Sequence, residues 1–156
     1  MDPEVSRKTM ALLAVAGGGL LIIGSFMPWL KASAAFVGSL SVNGLDGGGD
    51  GIYLLIIGAF MLALGTAMLI GWTVKPLTAG WLMTSATIIS IFIVIVDYGD
   101  VSERASQASS DVALASVGPG LIICALGSVA LFVGALVAFK THRESTTNVP
   151  PAPATR

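Results

Sequence analysis

The sequence predicts an all-α membrane protein, a bundle of four transmembrane helices with two extracytoplasmic loops, the first of them carrying a short β-strand. Two observations lead there. Hydrophobic residues make up 54% of the 156 and charged residues only 11%, against roughly 25% charged in a soluble domain; the mean hydropathy is +0.88. The apolar residues also fall into four runs, 10–30, 52–72, 77–96 and 117–139, and none of these holds Asp, Glu, Lys, Arg or His. A run of about twenty residues, rising about 1.5 Å per residue, crosses a hydrocarbon core of about 30 Å. Lipid offers no partner to a free backbone N–H or C=O, so each run should be helical despite its many Val and Ile residues.

The elements follow in order. Residues 1–9 form a short polar start. The run 10–30 exceeds the roughly 7–15 residues of a signal-peptide core, so it reads as a retained helix, although Ala32-Ser33-Ala34 resembles a cleavage site. In the first loop, residues 31–51, Phe36 to Asn43 alternate apolar and polar and lead into the turn pair Asn43-Gly44, the signature of a strand. Asp46 and Asp50, separated by Gly47-Gly48-Gly49, are candidate metal ligands. Calcium takes six to eight oxygens, and EF-hand spacing is absent, so a solvated turn is the preferred reading. Thr73–Pro76 is short enough to demand an antiparallel pair of helices, with Pro76 in the first turn of the third, where a missing donor costs nothing. In the second loop, residues 97–116, Asp100-Val101-Ser102-Glu103 resembles a capping box and predicts a short separate helix on the outer surface. Residues 140–156, with Pro150, Pro151 and Pro153, read as a flexible tail.

Lys and Arg set the orientation. Arg7, Lys8, Lys75, Lys140, Arg143 and Arg156 lie on one side of the four runs, and only Lys31 and Arg104 on the other. The richer side should be cytoplasmic, which places both termini there and both loops outside a cell membrane. Trp29, Tyr53 and Tyr98 fall at the outer ends of the runs, and Trp72 and Trp81 at the inner ends. These are the depths that amphipathic rings favour, so all five are expected to anchor the interface.

Helix packing is expected along small-residue faces: Ala59, Ala63, Ala67 and Gly71 on the second helix, Ala130, Gly134 and Ala138 on the fourth, Ala14 and Gly18 on the first. Lipid tails are as apolar as Leu, so helices associate by close backbone approach, which small residues permit. The second-helix face is expected to pack within the chain, with a separate subunit as the other possibility.

Much chemistry lacks its residues. The runs hold no ionisable group for a proton or ion pathway, and no His to ligate haem. Cys124 is the only cysteine, which rules out an intramolecular disulfide and a Cys-pair catalyst. The serines and threonines of the runs have no membrane-embedded base to activate them. His142, near Lys140 and Arg143, reads as part of a basic end that meets lipid headgroups. A net charge of −1 gives no footprint for nucleic acid. The expectation is a non-enzymatic chain without cofactor, whose partners are the lipid bilayer and other membrane-protein subunits or a second copy of itself. The role expected is an accessory or assembly subunit. The alternative is an oligomeric transporter or channel for a neutral or lipid-like solute, with Thr84, Thr87 and Ser90 as its lining.

Pro28-Trp29 at the end of the first run and Asn43-Gly44-Leu45 in the loop resemble the claudin-type tetraspan pattern. In that family a Trp and a Gly-Leu-Trp precede two loop cysteines; here Asp46 replaces the second Trp and both cysteines are missing. The resemblance implies four helices and a strand-bearing outer loop, and no claudin function. The chain is also similar to small four-span membrane proteins of actinobacteria and related bacteria, in which Pro-Trp and Gly-Leu-Asp-Gly features recur, implying a bacterial cell membrane.

The orientation is open to test by single-cysteine labelling in a Cys124→Ser background. An impermeant reagent applied to intact cells should label Ser106→Cys and leave Thr146→Cys untouched; labelling at 146 would invert the assignment.

Overall fold

The computed structural model describes residues 3–34, 38–46, 50–108 and 113–147. The elements are α1 (Pro3–Phe26), β1 (Pro28–Ala34), β2 (Gly38–Asn43), α2 (Gly51–Leu69), α3 (Pro76–Ala108), β3 (Ala113–Val117) and α4 (Pro119–Thr147). All four helices are long and apolar enough to cross a membrane, as the charge-free runs predict.

The helix ends differ from the expected ones, for local reasons. α1 stops at Phe26 rather than Leu30 because Pro28 supplies no N–H and disfavours helical backbone at Met27. α2 stops at Leu69 rather than Trp72. There Gly71, at φ +109°, takes the left-handed conformation, Trp72 N–H donates to the Ala67 carbonyl at 3.0 Å, and Gly71 N–H to that of Met68 at 3.4 Å. Those two bonds form a Schellman cap. The helix predicted over 100–108 is not separate: it continues α3, because Val101 and Ala105 are buried and reward unbroken helix. Residues 140–147, expected to be flexible, extend α4, since no Gly or Pro interrupts the chain before Pro150. The rest of the predicted tail, 148–156, lies outside the described residues.

Beyond the helix ends sits a three-stranded antiparallel sheet in the order β2-β1-β3. The strand expected from the alternating pattern is β2; Phe36 and Val37 of that pattern lie outside the described residues. Its partner, β1, is built from residues assigned to the first run and the start of the loop, and β3 comes from the second loop. Leu30 of β1 pairs with Val42 on one side and Val117 on the other. The β1–β2 register slips between Pro28 and Leu30, so Trp29 is the extra residue of a bulge, a device that re-aims a side chain.

The helices are arranged with α1 in the middle. α1 packs against α2 on one flank and α4 on the other, α3 packs against α4, and α2 and α3 touch only sparingly. The α1–α2 seam is a heptad: Gly51, Leu54, Gly58, Met61, Gly65 and Met68 are the buried residues of α2. A Cβ on Gly58 would sit 2.7 Å from the Gly18 carbonyl oxygen, and one on Gly18 would sit 2.6 Å from that of Gly58. The α1–α4 seam repeats this reciprocity. A Cβ on Gly17 would lie 2.9 Å from the Gly127 oxygen, and one on Gly120 would lie 2.7 Å from that of Gly24.

Ala14 and Gly18 thus face inward, and so do Gly134 and Ala138, with Ala130 half-buried. A Cβ on Gly134 would meet Met83 Sδ of α3 at 2.9 Å and Leu13 Cβ of α1 at 3.3 Å. The expected internal packing of the α2 alanine face does not hold: Ala59 and Ala63 are exposed and Ala67 is half-buried. Gly71 is exposed as well, with nothing within 4 Å of an added Cβ; it ends the helix.

Gly58→Ala forces backbones apart at the α1–α2 seam, and overpacking of this kind typically costs about 1–3 kcal/mol. Thermal unfolding in detergent should register that loss for Gly58→Ala and almost none for Gly19→Ala, which has open space around it.

Candidate functional site at the sheet end of the bundle

Trp29 organises this end. Expected as an interface anchor, it is only 5% exposed, because the bulge turns the indole inward. Its Nε1–H donates to the Gly24 carbonyl at 2.9 Å, which otherwise accepts only the longer bond from Met27 N–H at 3.3 Å where α1 ends. Its own carbonyl accepts from Gly118 N–H at 2.7 Å, tying β1 to the start of α4. The ring lies against two glycines: a Cβ on Gly44 would come within 2.5 Å of it, and one on Gly120 within 2.6 Å. The other four aromatic residues expected as anchors, Tyr53, Trp72, Trp81 and Tyr98, are each more than half exposed; Tyr98 lies within the continuous α3 rather than at a helix end.

Between this tryptophan, the turn after β2 and the outer part of α3 lies a cavity of about 260 Å³. Trp29, Leu30, Val42 and Val101 supply its apolar wall, while Asp46, Asp50, Asp97, Asp100 and Arg104 supply its charge. Asp46 is committed locally: its Oδ2 accepts the Asn43 N–H at 2.9 Å, while Asn43 Oδ1 accepts the Leu45 N–H at 2.8 Å. Gly51 N–H closes the turn onto the Gly44 carbonyl at 3.1 Å. Asp50 precedes α2 without capping it through its side chain. The two aspartates read as metal candidates therefore line one cavity, but among the described residues no three acids, histidines or cysteines come together as a metal-holding group. Gly47, Gly48 and Gly49 lie outside the described residues.

In the sequence Asp97 and Arg104 read only as charges of the second loop, and Asp100 as the start of a capping box. Their spacing of three and four residues marks one helix face, a signal that becomes legible once α3 is continuous. Asp97 is half-buried, and its Oδ2 is fully enclosed with no hydrogen-bond partner. Burial, then the charges of Asp50 and Asp100, push its carboxyl up to about 6, with Arg104 pulling the other way.

The hydroxyls considered as a transport lining are engaged with backbone. Thr84 donates to the Gly80 carbonyl and Thr87 to that of Met83, each at 2.8 Å. Ser90 donates to the Thr87 carbonyl at 3.1 Å. Ser128 of α4 donates to Ser90 Oγ at 2.8 Å, a bond between helices. Cys124 is fully buried, next to α1. No protein-family model matches the chain, and no curated protein matches its sequence.

The raised pKa of Asp97 has a definite consequence for stability. Its folded value of about 6 lies above the ordinary 3.8, so the folded state binds the proton more tightly. The resulting stability is complete below about pH 4 and is lost as pH rises through 6. A displacement of that size is worth at most about 3 kcal/mol, which solvent screening at a half-exposed carboxyl reduces to about 1 kcal/mol. Asp97→Asn should therefore raise the melting temperature at pH 7.5 and flatten its dependence between pH 4 and 7. An unchanged pH profile would show that the cavity does not set this carboxyl's ionisation.

Proposed function

We propose that this chain is a non-enzymatic accessory or assembly subunit of a larger membrane complex. It sits in a bacterial cell membrane with both tails in the cytoplasm and receives a transmembrane helix of another subunit on the outward face of α2. One observation carries this reading. α2 is buried along its Gly51–Met68 seam alone, while Ala59 and Ala63 on the opposite side are exposed and α3 touches α2 only sparingly. A single-sided helix with small residues on its free side lets a second backbone approach closely, and such contact is what joins helices in lipid. Ile56, Phe60 and Ile70 flank the alanines, each more than half exposed, and supply bulk on which an incoming helix can seat.

The test is co-purification from native membrane in mild detergent. The parent chain should bring down a stoichiometric membrane partner. Ala63→Leu should abolish that association while changing the stability of the isolated chain by no more than about 0.5 kcal/mol, the usual range for an outward substitution. A partner retained by Ala63→Leu would refute docking on α2. Homo-oligomers that conduct a neutral or lipid-like solute after reconstitution would favour the transporter reading instead.

A further inference from the structure

At the end of α4 opposite the sheet, Leu136, Phe139, Lys140 and Arg143 are spaced three, four and seven residues apart and so share one helix face. That face changes character within one turn: Phe139 closes the charge-free run, and Lys140 opens the charged one. Together with His142 these residues line a groove of about 430 Å³. Its apolar part is held in place. The Phe139 ring meets Trp81 edge-on, centroids 5.9 Å apart and planes at 88°, and it is backed by Gly80, where an added Cβ would lie 3.2 Å from the ring. Lys140 and Arg143 are exposed, His142 is half-buried, and Glu144 is the single acid in 136–147.

We propose that this groove binds one anionic phospholipid, its acyl chain along Leu136 and Phe139 and its phosphate on Lys140 and Arg143. Two requirements select that occupant. The cations call for an anion, and they stand directly beyond an aromatic wall that calls for hydrocarbon at the same place. An anion fixed to the end of an alkyl chain at the depth where a helix leaves the bilayer meets both. A free phosphate meets only the first, and a zwitterionic lipid brings its own cation to compete with Lys140 and Arg143. The Arg143 guanidinium suits a phosphate because its fork of donors matches two oxygens. His142, one turn from Phe139, adds a further donor at the rim.

The experiment uses the full chain in detergent, titrated with phosphatidylglycerol, phosphatidylcholine or inorganic phosphate. Native mass spectrometry reads retained lipid, and thermal unfolding reads stabilisation. Phosphatidylglycerol should be retained at least about fivefold better than phosphatidylcholine. Each Lys or Arg near an anionic surface strengthens binding by roughly fivefold, so Lys140→Gln with Arg143→Gln should lower phosphatidylglycerol retention at least about tenfold. Lys75→Gln, at the same end but outside the groove, should keep parental retention, which separates a site from a generally basic surface. Equal retention of the two lipids would overturn the proposal, as would a double variant that binds like the parent, or a Lys75→Gln loss as large as the double variant's. Displacement of the lipid by millimolar inorganic phosphate would show a phosphate site with no lipid specificity and would overturn it too.

Discussion

The whole arrangement depends on how closely α1 approaches its two neighbours. In lipid no hydrophobic force drives one apolar helix onto another, so the gain must come from dispersion between atoms in contact. α1 reaches that contact on both flanks because adjacent glycines serve opposite sides: Gly17 against Gly127 of α4, Gly18 against Gly58 of α2. Backbone then meets backbone without an intervening side chain. α3 has no such seam with α1 and depends on α4, through Met83 beside Gly134, Phe139 beside Gly80 and the Ser128–Ser90 hydroxyl bond. The looseness between α2 and α3 follows, since neither helix presents glycine backbone to the other.

Trp29 carries this rigidity out of the membrane. An indole that closes the end of α1, rests on Gly44 and Gly120 and sits at a bulge couples helix, sheet and turn in one contact set. The cavity wall exists because the tryptophan is there. The four carboxylates beside it are held by separate pieces of chain: the turn after β2, the residue before α2, and the outer part of α3. Their mutual repulsion therefore acts between elements as well as along α3, where Asp97 and Asp100 lie three residues apart.

How much was legible in the sequence differs by level. The four helices were, because excluding charge from lipid is a constraint that no tertiary contact overrides. Their ends were not, because Pro28 and Gly71 act through local backbone geometry that a hydropathy run ignores. The α2 sequence offers two candidate packing faces, and the structure uses the one with the seven-residue repeat. Residues four apart advance about 40° around a helix per step, so the stripe from Ala59 to Gly71 winds through about 120°. A seven-residue repeat drifts only about 20°, which is why Gly51, Gly58 and Gly65, with Leu54, Met61 and Met68 between them, hold a straight seam. β3 was hidden for another reason. Its five residues have no pattern of their own, and Val117 finds its partner at Leu30, most of the chain away. The acidic cavity needed both facts at once, a continuous α3 and a folded first loop.

That distant pairing sets an order on biogenesis. β1 and β2 are adjacent in the chain and can pair once the first helix and its loop have been made, but β1 is the central strand. Its second edge stays open until α3 has been threaded and the following loop delivered to the same side. During that interval a growing chain carries an unpaired strand edge outside the bilayer, and such edges recruit whatever strand is near. β3 ends two residues before α4 begins, so the step that seats the last helix is also the one that hides the edge. A chain stopped short of it is left marked as unfinished at the sheet end of the bundle.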